Sequence, residues 1–410
     1  MNRDLAVAIG LERGAALCHP GAMGLIRDTW LCRAPAVAFV AVGLFWGTFA
    51  AYVPVLKPRA GLSDGGFGAA MFVASIGAVA AMWMAPAVDR VLRRRAMPVL
   101  AALLAAAFLL PGVAQNAAVF AVAMFTASVV SGTLDVIMNA RVSALEAAHA
   151  RPLMSLNHGL FSVGYAVAAL AAGAARELGL PPLAAFVAMG VVTLGLTAVM
   201  ARDPGGQAEA ADGTPRGRLP MGLVAPIALI ALIGFMAEQG TEGWSALHLE
   251  RSLGAGAAEG AFGPAILGMT MALGRFSGQM VATRFSEASV LRIAAAMSAA
   301  GALIAAFAPA LWVAYLGFAI LGLGVSVTCP MAFAWIGRLA PPRLRLLALS
   351  RVAALGYFGF FVGPPMMGGL SELFGLHASF AAVAGLLLLI PLVLVPLVAR
   401  RVVAGQTAVG

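Results

Sequence analysis

The sequence predicts an all-α integral membrane protein in which twelve transmembrane helices form two pseudo-symmetric bundles of six. Three observations support this prediction: the composition, the number of apolar segments and an internal repeat. Of the 410 residues, 62% are hydrophobic and 10% are charged, whereas soluble domains carry about 25% charged residues. The mean hydropathy of +0.96 leaves too few polar side chains to cover a water-soluble core. The lipid bilayer is therefore the expected solvent.

Apolar segments of about 20 residues, long enough to cross a bilayer as helices, recur along the whole chain. Many of them contain Gly and Pro, which membrane helices tolerate. The longest polar break, 202–220, is rich in Gly, Pro and charge, and we expect it to be a cytoplasmic linker. It divides an N-terminal bundle, 34–201, from a C-terminal bundle, 221–400. The spans are expected at roughly 35–57, 65–88, 97–114, 117–140, 153–175, 182–201, 222–247, 260–283, 290–308, 311–336, 344–369 and 375–398.

The positions of the basic residues predict the orientation of the chain. With the N-terminus inside, the basic residues of the outer connections are Lys57, Arg59, Arg176 and Arg251, and the others outside the spans lie on the inner side. We therefore expect a multi-pass protein of the bacterial inner membrane with both termini in the cytoplasm. The ends, 1–33 and 401–410, are expected to be cytoplasmic tails.

The first 33 residues do not resemble a signal peptide, because charges interrupt their apolar stretches and no clean cleavage site follows. A disordered tail is one interpretation. A chain that is initiated upstream of its working start, with Met23 as a candidate, is another.

Several functional classes lack support in the sequence. The net charge of +9 comes from arginines between apolar runs rather than from one basic module, which argues against a nucleic-acid partner. The three cysteines, Cys18, Cys32 and Cys329, have no regular spacing, and no Cys/His pair has the spacing of zinc ligands. The phosphate-binding loop of ATPases and the nucleophile elbow of hydrolases are missing. We expect no metal, no cofactor and no enzymatic activity.

Two features recur in the second half of the chain. The charged stretch "APAVDRVLRRR" from Ala85 follows span two, and "GQMVATRFSEASVLR" from Gly278 follows span eight. Gly164-Tyr165 in span five corresponds to Gly356-Tyr357 in span eleven. Two halves of similar pattern indicate a duplicated transporter with its site between the halves.

The loop after span two carries a family resemblance. The chain resembles the major facilitator superfamily over about residues 34–400, whose loop reads G-x-x-x-D-R-x-G-R-R. Asp89, Arg90, Arg93 and Arg94 match this pattern, while Ala85 and Leu92 replace its glycines. The resemblance implies that Asp89 meets the N-terminus of span eleven and holds an inner gate shut, a contact that breaks when the gate opens. The alternative is that these charges only set the topology.

Five further stretches are similar to the YbjJ-like branch of this superfamily, near the sugar–proton symporters of the fucose permease type. Thr283, where the branch has Asp, and Arg351, where a small residue is usual, depart from its pattern. The similar stretches are "LDVIMNARVSALE" from Leu134, "RPLMSLNHGLFSVG" from Arg151, "EGWSALHLERSLGA" from Glu242, "GMTMALGRFSG" from Gly268 and "GYFGFFVGPPMMGG" from Gly356.

Charges inside the spans are expected to face a cavity or a partner, because each costs about 2.5–3.5 kcal/mol or more in lipid. Asp135 and Asn139 share a face of span four, and Arg275 and Arg351 lie at similar depth. We predict that Asp135 pairs with one of these arginines and exchanges partner or proton during transport, although a static ion pair is the alternative. Fucose-permease-type relatives also use an acid on span four for proton coupling, which implies the same role for Asp135.

Glu238 and Glu242 lie one turn apart on span seven. Two close carboxylates repel each other, so one of them can hold a proton. Glu238 matches an acid of the branch and Glu242 does not, and Glu242 is alternatively a residue of the water interface. The stretch "EQGTEG", followed by Trp244, suggests a locally broken helix at a substrate site.

The remaining candidates are polar and aromatic residues. His158 is a candidate proton relay, with a structural role as the alternative, and its neighbour Asn157 is a candidate cavity residue. Trp46, Tyr52 and Trp335 could stack on a sugar or anchor the chain at the interface. "GPPMMGG" from Gly363 is expected to be a kink with close helix packing, since it lies in the wrong span for an antiporter motif.

These observations favour a secondary transporter that moves a small polar solute, such as a sugar, together with protons, and that acts as a monomer. Efflux of amphipathic compounds on the same fold is the alternative. A non-transporting receptor or a membrane enzyme would need a large soluble loop or a catalytic cluster, and the sequence has neither.

Overall fold

The computed structural model describes residues 22–203 and 221–407, which form helices and no strand within these ranges. A short helix, Ala22–Leu31, precedes twelve long ones in this part of the chain. The first half contains α1 (Arg33–Arg59), α2 (Asp64–Leu92), α3 (Ala96–Ala107, continued by Leu109–Val113), α4 (Ala117–His149), α5 (Met154–Glu177) and α6 (Pro182–Met200). The second half contains α7 (Met221–Leu253), α8 (Ala257–Arg284), α9 (Glu287–Ala306), α10 (Leu311–Leu339), α11 (Arg345–Gly356, continued by Phe358–Phe374) and α12 (Leu376–Leu389, continued by Val395–Thr407).

The helices have the length and apolarity of membrane spans. Within the described residues, ten helical stretches meet these criteria, and one of them, Asp64–Val113, contains both α2 and α3. The remaining long helix, α8, packs between α5 and α10. The structure therefore agrees with twelve spans, which is the number expected from the sequence.

Three details differ from the sequence-based expectations. Residues 22–31, expected in a disordered tail, form a helix that an ion pair between Asp28 and Arg151 holds against the start of α5 (2.7 Å). The last span passes through a π-helical turn at Ile390–Leu394 and extends to Thr407 rather than ending near 398. Most of the predicted linker and the first 21 residues lie outside the described ranges.

The connections at the two ends of the bundle are built differently. We call the end where α1 begins and α12 ends the terminal face, and the opposite end the distal face. Four distal connections turn at a glycine with positive φ, a conformation that suits a residue without Cβ, and these are Gly61, Gly179, Gly254 and Gly375. On the terminal face, the positive φ values belong to Arg93 and Ala150, both at 51°.

The helices pack in two groups that meet along two seams. Within the groups, α1 packs on α5, α2 on α4 and α9 on α10. Between them, α5 packs on α8 and α2 packs on α11. The second seam is tight at Gly68, where an added Cβ would lie 2.5 Å from the carbonyl oxygen of Pro364 and 3.3 Å from the Cα of Gly368. The close packing predicted for "GPPMMGG" is thus confirmed.

Two helix distortions were predicted from the sequence. The one in α11 lies at another position, and the one in α7 is absent. α11 is continuous through Pro364 and Pro365, and its interruption falls earlier, at Tyr357. The prediction of a broken helix at "EQGTEG" is wrong, because α7 is unbroken from Met221 to Leu253. Gly240 serves packing instead: its Cβ position would lie 3.2 Å from the side chain of Met367.

Candidate substrate and proton site between the two halves

A cavity of about 860 Å³ lies between the two halves, lined by residues of both. Its wall begins at Met154, the first residue of α5, on the terminal face. Toward the distal face it ends at Ala50, Met71, Trp244 and Pro364. At about 1.5 Å per helical residue, these residues lie roughly 10–15 Å below the distal ends of their helices. The cavity thus extends to the terminal end of α5, whereas its lining stops below the distal ends of the helices.

Asp64 is the centre of the distal closure. One of its carboxylate oxygens pairs with Lys57 of α1 (2.7 Å) and with Arg251 of α7 (2.6 Å). The other accepts a hydrogen bond from the hydroxyl of Ser371 in α11. Asp64 is also the first residue of α2, where the helix dipole favours a negative charge. The side chain thus joins both halves while it is almost completely buried.

Further contacts across the halves surround Asp64. Arg176 forms a bidentate ion pair with Glu250, with N–O distances of 2.7 and 2.9 Å. Glu372 accepts a hydrogen bond from the backbone N–H of Gly65 (3.0 Å), and Glu177 accepts one from Ala258 (3.2 Å). Because every one of these contacts joins opposite halves, opening the distal face requires all of them to break.

The terminal face shows the opposite pattern. Arg141 of α4 holds Asp89 through two hydrogen bonds (2.5 and 3.1 Å) and Asp203 through a third (2.8 Å), all inside the first half. Arg338 pairs with Glu287 inside the second half. Among the described residues, the ion pairs at this face remain within one half, so they do not oppose the opening of the cavity.

The predicted gate residues therefore have other neighbours in this conformation. Asp89 contacts Arg141 rather than the start of α11, and Arg90 is exposed. The contact of Asp89 with α11 stays a prediction for a conformation in which the terminal face is closed. From the sequence, Arg141 was expected only to set the topology, and its pairing with Asp89 was not predicted.

A charged cluster lies in the middle of the cavity wall. Arg275 of α8 pairs with Glu238 of α7 (2.8 Å). It also donates to the hydroxyl of Ser162 and to the backbone oxygen of His158 (3.4 Å), both on α5. Glu242, one turn from Glu238, lies within electrostatic reach of both charges. This cluster joins the two halves through Arg275, and it contains the carboxylate pair predicted on span seven.

The predicted pairing of Asp135 with an arginine is wrong for this structure. Asp135 accepts a hydrogen bond from Asn139 (3.1 Å), and both residues line the cavity. Arg275 pairs with Glu238 instead, and Arg351 is exposed and outside the cavity lining. Counting residues along a helix gives the depth of a side chain but not its direction, and Arg351 has the right depth on the wrong side of α11.

The aromatic and polar candidates divide into two groups. Trp46, His158 and Trp244 line the cavity. The Nε1 of Trp46 donates to the hydroxyl of Ser131 (3.0 Å), and His158 packs edge-on against Phe39. The ring of Trp244 contacts that of Phe67 from the other half, with centroids 5.0 Å apart.

Tyr52, Asn157 and Trp335 do not line the cavity, so their prediction as substrate contacts is wrong. Tyr52 is buried against α6 and donates to the backbone oxygen of Leu180 (3.0 Å). Asn157 is buried beside Cys32 and donates to the backbone oxygen of Leu153 (2.8 Å). Trp335 is buried in the hydrophobic core. Tyr52 and Asn157 thus contact residues of their own half.

Three buried polar atoms on the cavity wall have no hydrogen-bond partner among the described residues. They are the hydroxyl of Tyr165, the Oε1 of Gln239 and the Nε1 of Trp244. Buried polar groups in proteins are normally paired, so these three atoms are exceptions, and each has less than 1 Å² of accessible surface. Tyr165 and Gln239 were missed in the sequence, although the recurrence of Tyr165 and Tyr357, which both line the cavity, was a usable signal. Within the described residues, no group of three His, Cys, Asp or Glu side chains is arranged to hold a metal.

The two-group helical fold, with a cavity between the groups, is the architecture of a membrane transporter. The sequence profile of the Major Facilitator Superfamily matches residues 35–286 and again 227–408. The chain therefore belongs to the Major Facilitator Superfamily, whose members are transporters rather than enzymes.

Relatives and solved structures agree with this assignment. An uncharacterised MFS-type transporter of Yersinia pestis is 32% identical over 356 residues, which cover 86% of this chain and 92% of the relative. The nucleoside transporter NupG matches with a TM-score of 0.70 at 12% identity, over 90% of this chain and 98% of that one. A D-xylose–proton symporter matches with a TM-score of 0.69 at 16% identity, over 90% and 97% of the two chains. At these identities the structures show a shared fold.

Proposed function

We propose that this protein is a secondary active transporter that moves a small polar solute across the bacterial inner membrane by alternating access, in exchange or together with protons. The observation that carries this proposal is the cluster of Glu238, Arg275 and Glu242 in a cavity between the halves. The site is accessible from one face and closed from the other, as a transport intermediate must be. The D-xylose–proton symporter and NupG, which share the fold, are named for polar solutes.

Glu242 is the best candidate to carry the transported proton. Its carboxylate faces the cavity without a cation partner in the described residues, whereas Glu238 is paired with Arg275. A like charge one turn away and a low-dielectric wall both favour the protonated form of one member of such a pair. Asp135 is the second candidate, since it has only an amide partner in the same part of the chain.

Orientation is part of the proposal. The arginine distribution places the terminal face in the cytoplasm, so the structure corresponds to a conformation that is open to the cytoplasm. The 202–220 segment then forms a cytoplasmic linker between bundles at 34–201 and 221–400. Reporter fusions within this segment should be active only in the cytoplasm, and periplasmic activity would contradict the orientation. We also place the chain in the YbjJ-like branch near the fucose permease type, on the motifs that it shares with that branch.

The test of proton coupling uses protein reconstituted in liposomes with an internal pH indicator. Solutes that raise the melting temperature of the purified protein are added to one side, and proton movement is recorded. We expect wild type to move protons with the solute. Glu242→Gln should still exchange solute across the membrane but should lose the proton signal. Glu259→Gln, which removes an exposed carboxylate at the distal end of α8, is the matched control. Solute transport by wild type without proton movement would refute the coupling.

Efflux of amphipathic compounds is the second candidate, and the apolar cavity wall favours it. Aromatic rings form much of this wall, including those of Phe49, Phe161, Phe235, Phe333, Phe360 and Phe361. Cells that express the protein should then accumulate less of a fluorescent amphipathic dye than cells that express the Glu242→Gln variant. This outcome, together with no stabilisation by polar solutes, would favour efflux over the first proposal.

A further inference from the structure

We infer that the transported solute carries a protonated amine together with hydroxyl groups, as an amino sugar or an amino alcohol does. This inference rests on the proposed transport function and specifies its substrate class. It follows from three features of the cavity: its charge balance, the use of its hydrogen-bond donors, and its unpaired polar atoms.

The charged groups of the cavity do not balance. Among the described residues, three carboxyl groups line it, from Asp135, Glu238 and Glu242, against one guanidinium, that of Arg275. Arg275 is matched with Glu238 at 2.8 Å. Within the described residues, neither Asp135 nor Glu242 has a cation within 4.0 Å. An anionic solute would add a further negative charge to a low-dielectric space, so the cavity disfavours it.

The donors of the cluster are already occupied. The guanidinium of Arg275 is directed at Glu238, Ser162 and the backbone oxygen of His158. His158 is the other nitrogen base of the wall, and its backbone oxygen accepts a hydrogen bond from Arg275. Glu242 therefore presents acceptor oxygens to the cavity without a fixed donor. An ammonium group has three N–H donors, no acceptor and a positive charge, which is the complement of that surface.

The unpaired atoms near Glu242 point to hydroxyl groups on the same solute. Gln239 lies three residues before Glu242 on the same face of α7, and its Oε1 lacks a donor among the described residues. Tyr165 and Trp244 are almost fully buried, yet the hydroxyl of Tyr165 and the Nε1 of Trp244 have no partner in this part of the chain. Trp244 can only donate and Gln239 Oε1 can only accept. A hydroxyl group does both, and it would reach these atoms once their side chains turn toward the cavity, since each atom has less than 1 Å² of accessible surface here.

The second unmatched carboxyl group lies on the opposite half. Asp135 belongs to α4, whereas Glu242 belongs to α7. A cation held by Glu242 takes the place of the proton proposed for the same carboxylate, so proton and amine compete for Glu242. Asp135 then remains for a proton or for a second amine.

The experiment measures thermal stabilisation of purified wild-type protein by solutes in matched sets that differ at one group. One set is glucosamine, glucose, glucuronate and N-acetylglucosamine, and another is serinol, glycerol and glycerate. Longer linear and cyclic amines are tested in the same way, each with its neutral and acidic counterparts. We expect the amine of at least one set to bind about tenfold or more tightly than its neutral and acidic counterparts. Acetylation should remove the advantage, and this comparison needs no variant.

Variants then locate the amine. Glu242→Gln should lower the affinity for the amine by about tenfold while Glu259→Gln leaves it unchanged. The inference is overturned if the neutral or acidic members bind as tightly, if no amine binds, or if the amine keeps its affinity in Glu242→Gln. Neutral polyols that bind and drive protons would leave the proposed transport intact. Amines that bind without driving protons would instead refute the coupling alone.

Discussion

The two faces of the bundle use similar side chains in opposite ways. On the distal face, Asp64 and Arg176 pair with groups of the other half, at Arg251 and Glu250. On the terminal face, Arg141 gathers Asp89 and Asp203 from its own half. The first arrangement has to break when the halves move apart, and the second can persist in every conformation. Ion pairs with similar N–O distances therefore differ in function. Those that join the two halves keep the distal face closed, and those within one half do not affect the opening.

Of the substitutions that follow, Gly68→Ala should destabilise the closed distal face the most. An added methyl group at this position would meet the backbone of α11 at 2.5 Å, whereas at Gly65 the nearest atoms lie 3.9 Å away. Overpacking of this kind costs about 1–3 kcal/mol, and the distal-closed conformation alone bears the cost. Gly68→Ala should therefore expose the distal seam, while Gly65→Ala should not.

Labelling of a cysteine in the seam measures this exposure. Ser371→Cys, in a background with Cys18, Cys32 and Cys329 replaced by serine, is treated in whole cells with a membrane-impermeant maleimide. We expect labelling to be about tenfold faster in Gly68→Ala than in Gly65→Ala. Equal rates in the two variants would mean that the close approach of α2 and α11 does not control the distal face.

Asp64→Asn should have the next largest effect on the stability of the closed distal face. The substitution leaves Lys57 and Arg251 facing an uncharged amide in the closed conformation. We expect a cost of about 2 kcal/mol to that conformation, less than for a fully buried pair because Arg251 is 48% exposed. The same maleimide assay should show faster labelling, and the difference should shrink at high salt. Unchanged labelling would remove Asp64 from the gate.

Asp89→Asn tests an ion pair of the terminal face, where both partners belong to one half. Arg141 keeps Asp203 in this variant, so we expect a loss of stability of about 1–2 kcal/mol. Since the Asp89–Arg141 pair lies within one half, its loss should not shift the balance between the two conformations, whereas loss of the predicted contact of Asp89 with α11 would favour the cytoplasm-open one. Thermal unfolding should report the loss while the labelling of Ser371→Cys stays at its wild-type rate. A large change in labelling would show that Asp89 also contacts the second half.

The smallest change in the stability of the protein is expected for a substitution at Arg93. This residue has a φ of 51° and a ψ of −119°, and such sparsely populated backbone conformations cost about 1–3 kcal/mol. Arg93→Gly should therefore stabilise the protein by about 1 kcal/mol. Arg95→Gly, at a position with a φ of −87°, removes the same charge without this gain. A lower melting temperature for Arg93→Gly than for Arg95→Gly would contradict the role of backbone strain.

Hydrophobicity and charge spacing predicted the membrane fold because each span must satisfy its own backbone within one helix. The same reasoning placed Asp135, Glu238, Glu242 and Arg275 at cavity depth, since a buried charge requires a polar neighbour. It could not give the rotation of a helix about its axis. This is why Tyr52, Asn157 and Trp335 were expected in the cavity, although none of them is part of its lining.

The partners of the charged residues were also beyond the sequence. Arg275 was expected to meet Asp135 at equal depth, but it meets Glu238, which is closer across the α7–α8 packing. The distal ion pairs were missed because Lys57, Arg176 and Arg251 were used only to determine orientation. Asp64 and Glu250 lie near these residues in the chain, so a search for complementary charges at the outer ends of the spans would have indicated them.

The most direct test of alternating access is a pair of distances in one membrane-reconstituted protein. Spin labels at Leu178→Cys and Ser252→Cys report the distal face, and labels at Val91→Cys and Leu346→Cys report the terminal face. All four positions are exposed. Without solute, we predict a short distal distance and a long terminal one, and both should reverse in the Gly68→Ala variant. Distances that stay fixed on both faces in every variant and with every bound solute would contradict the account.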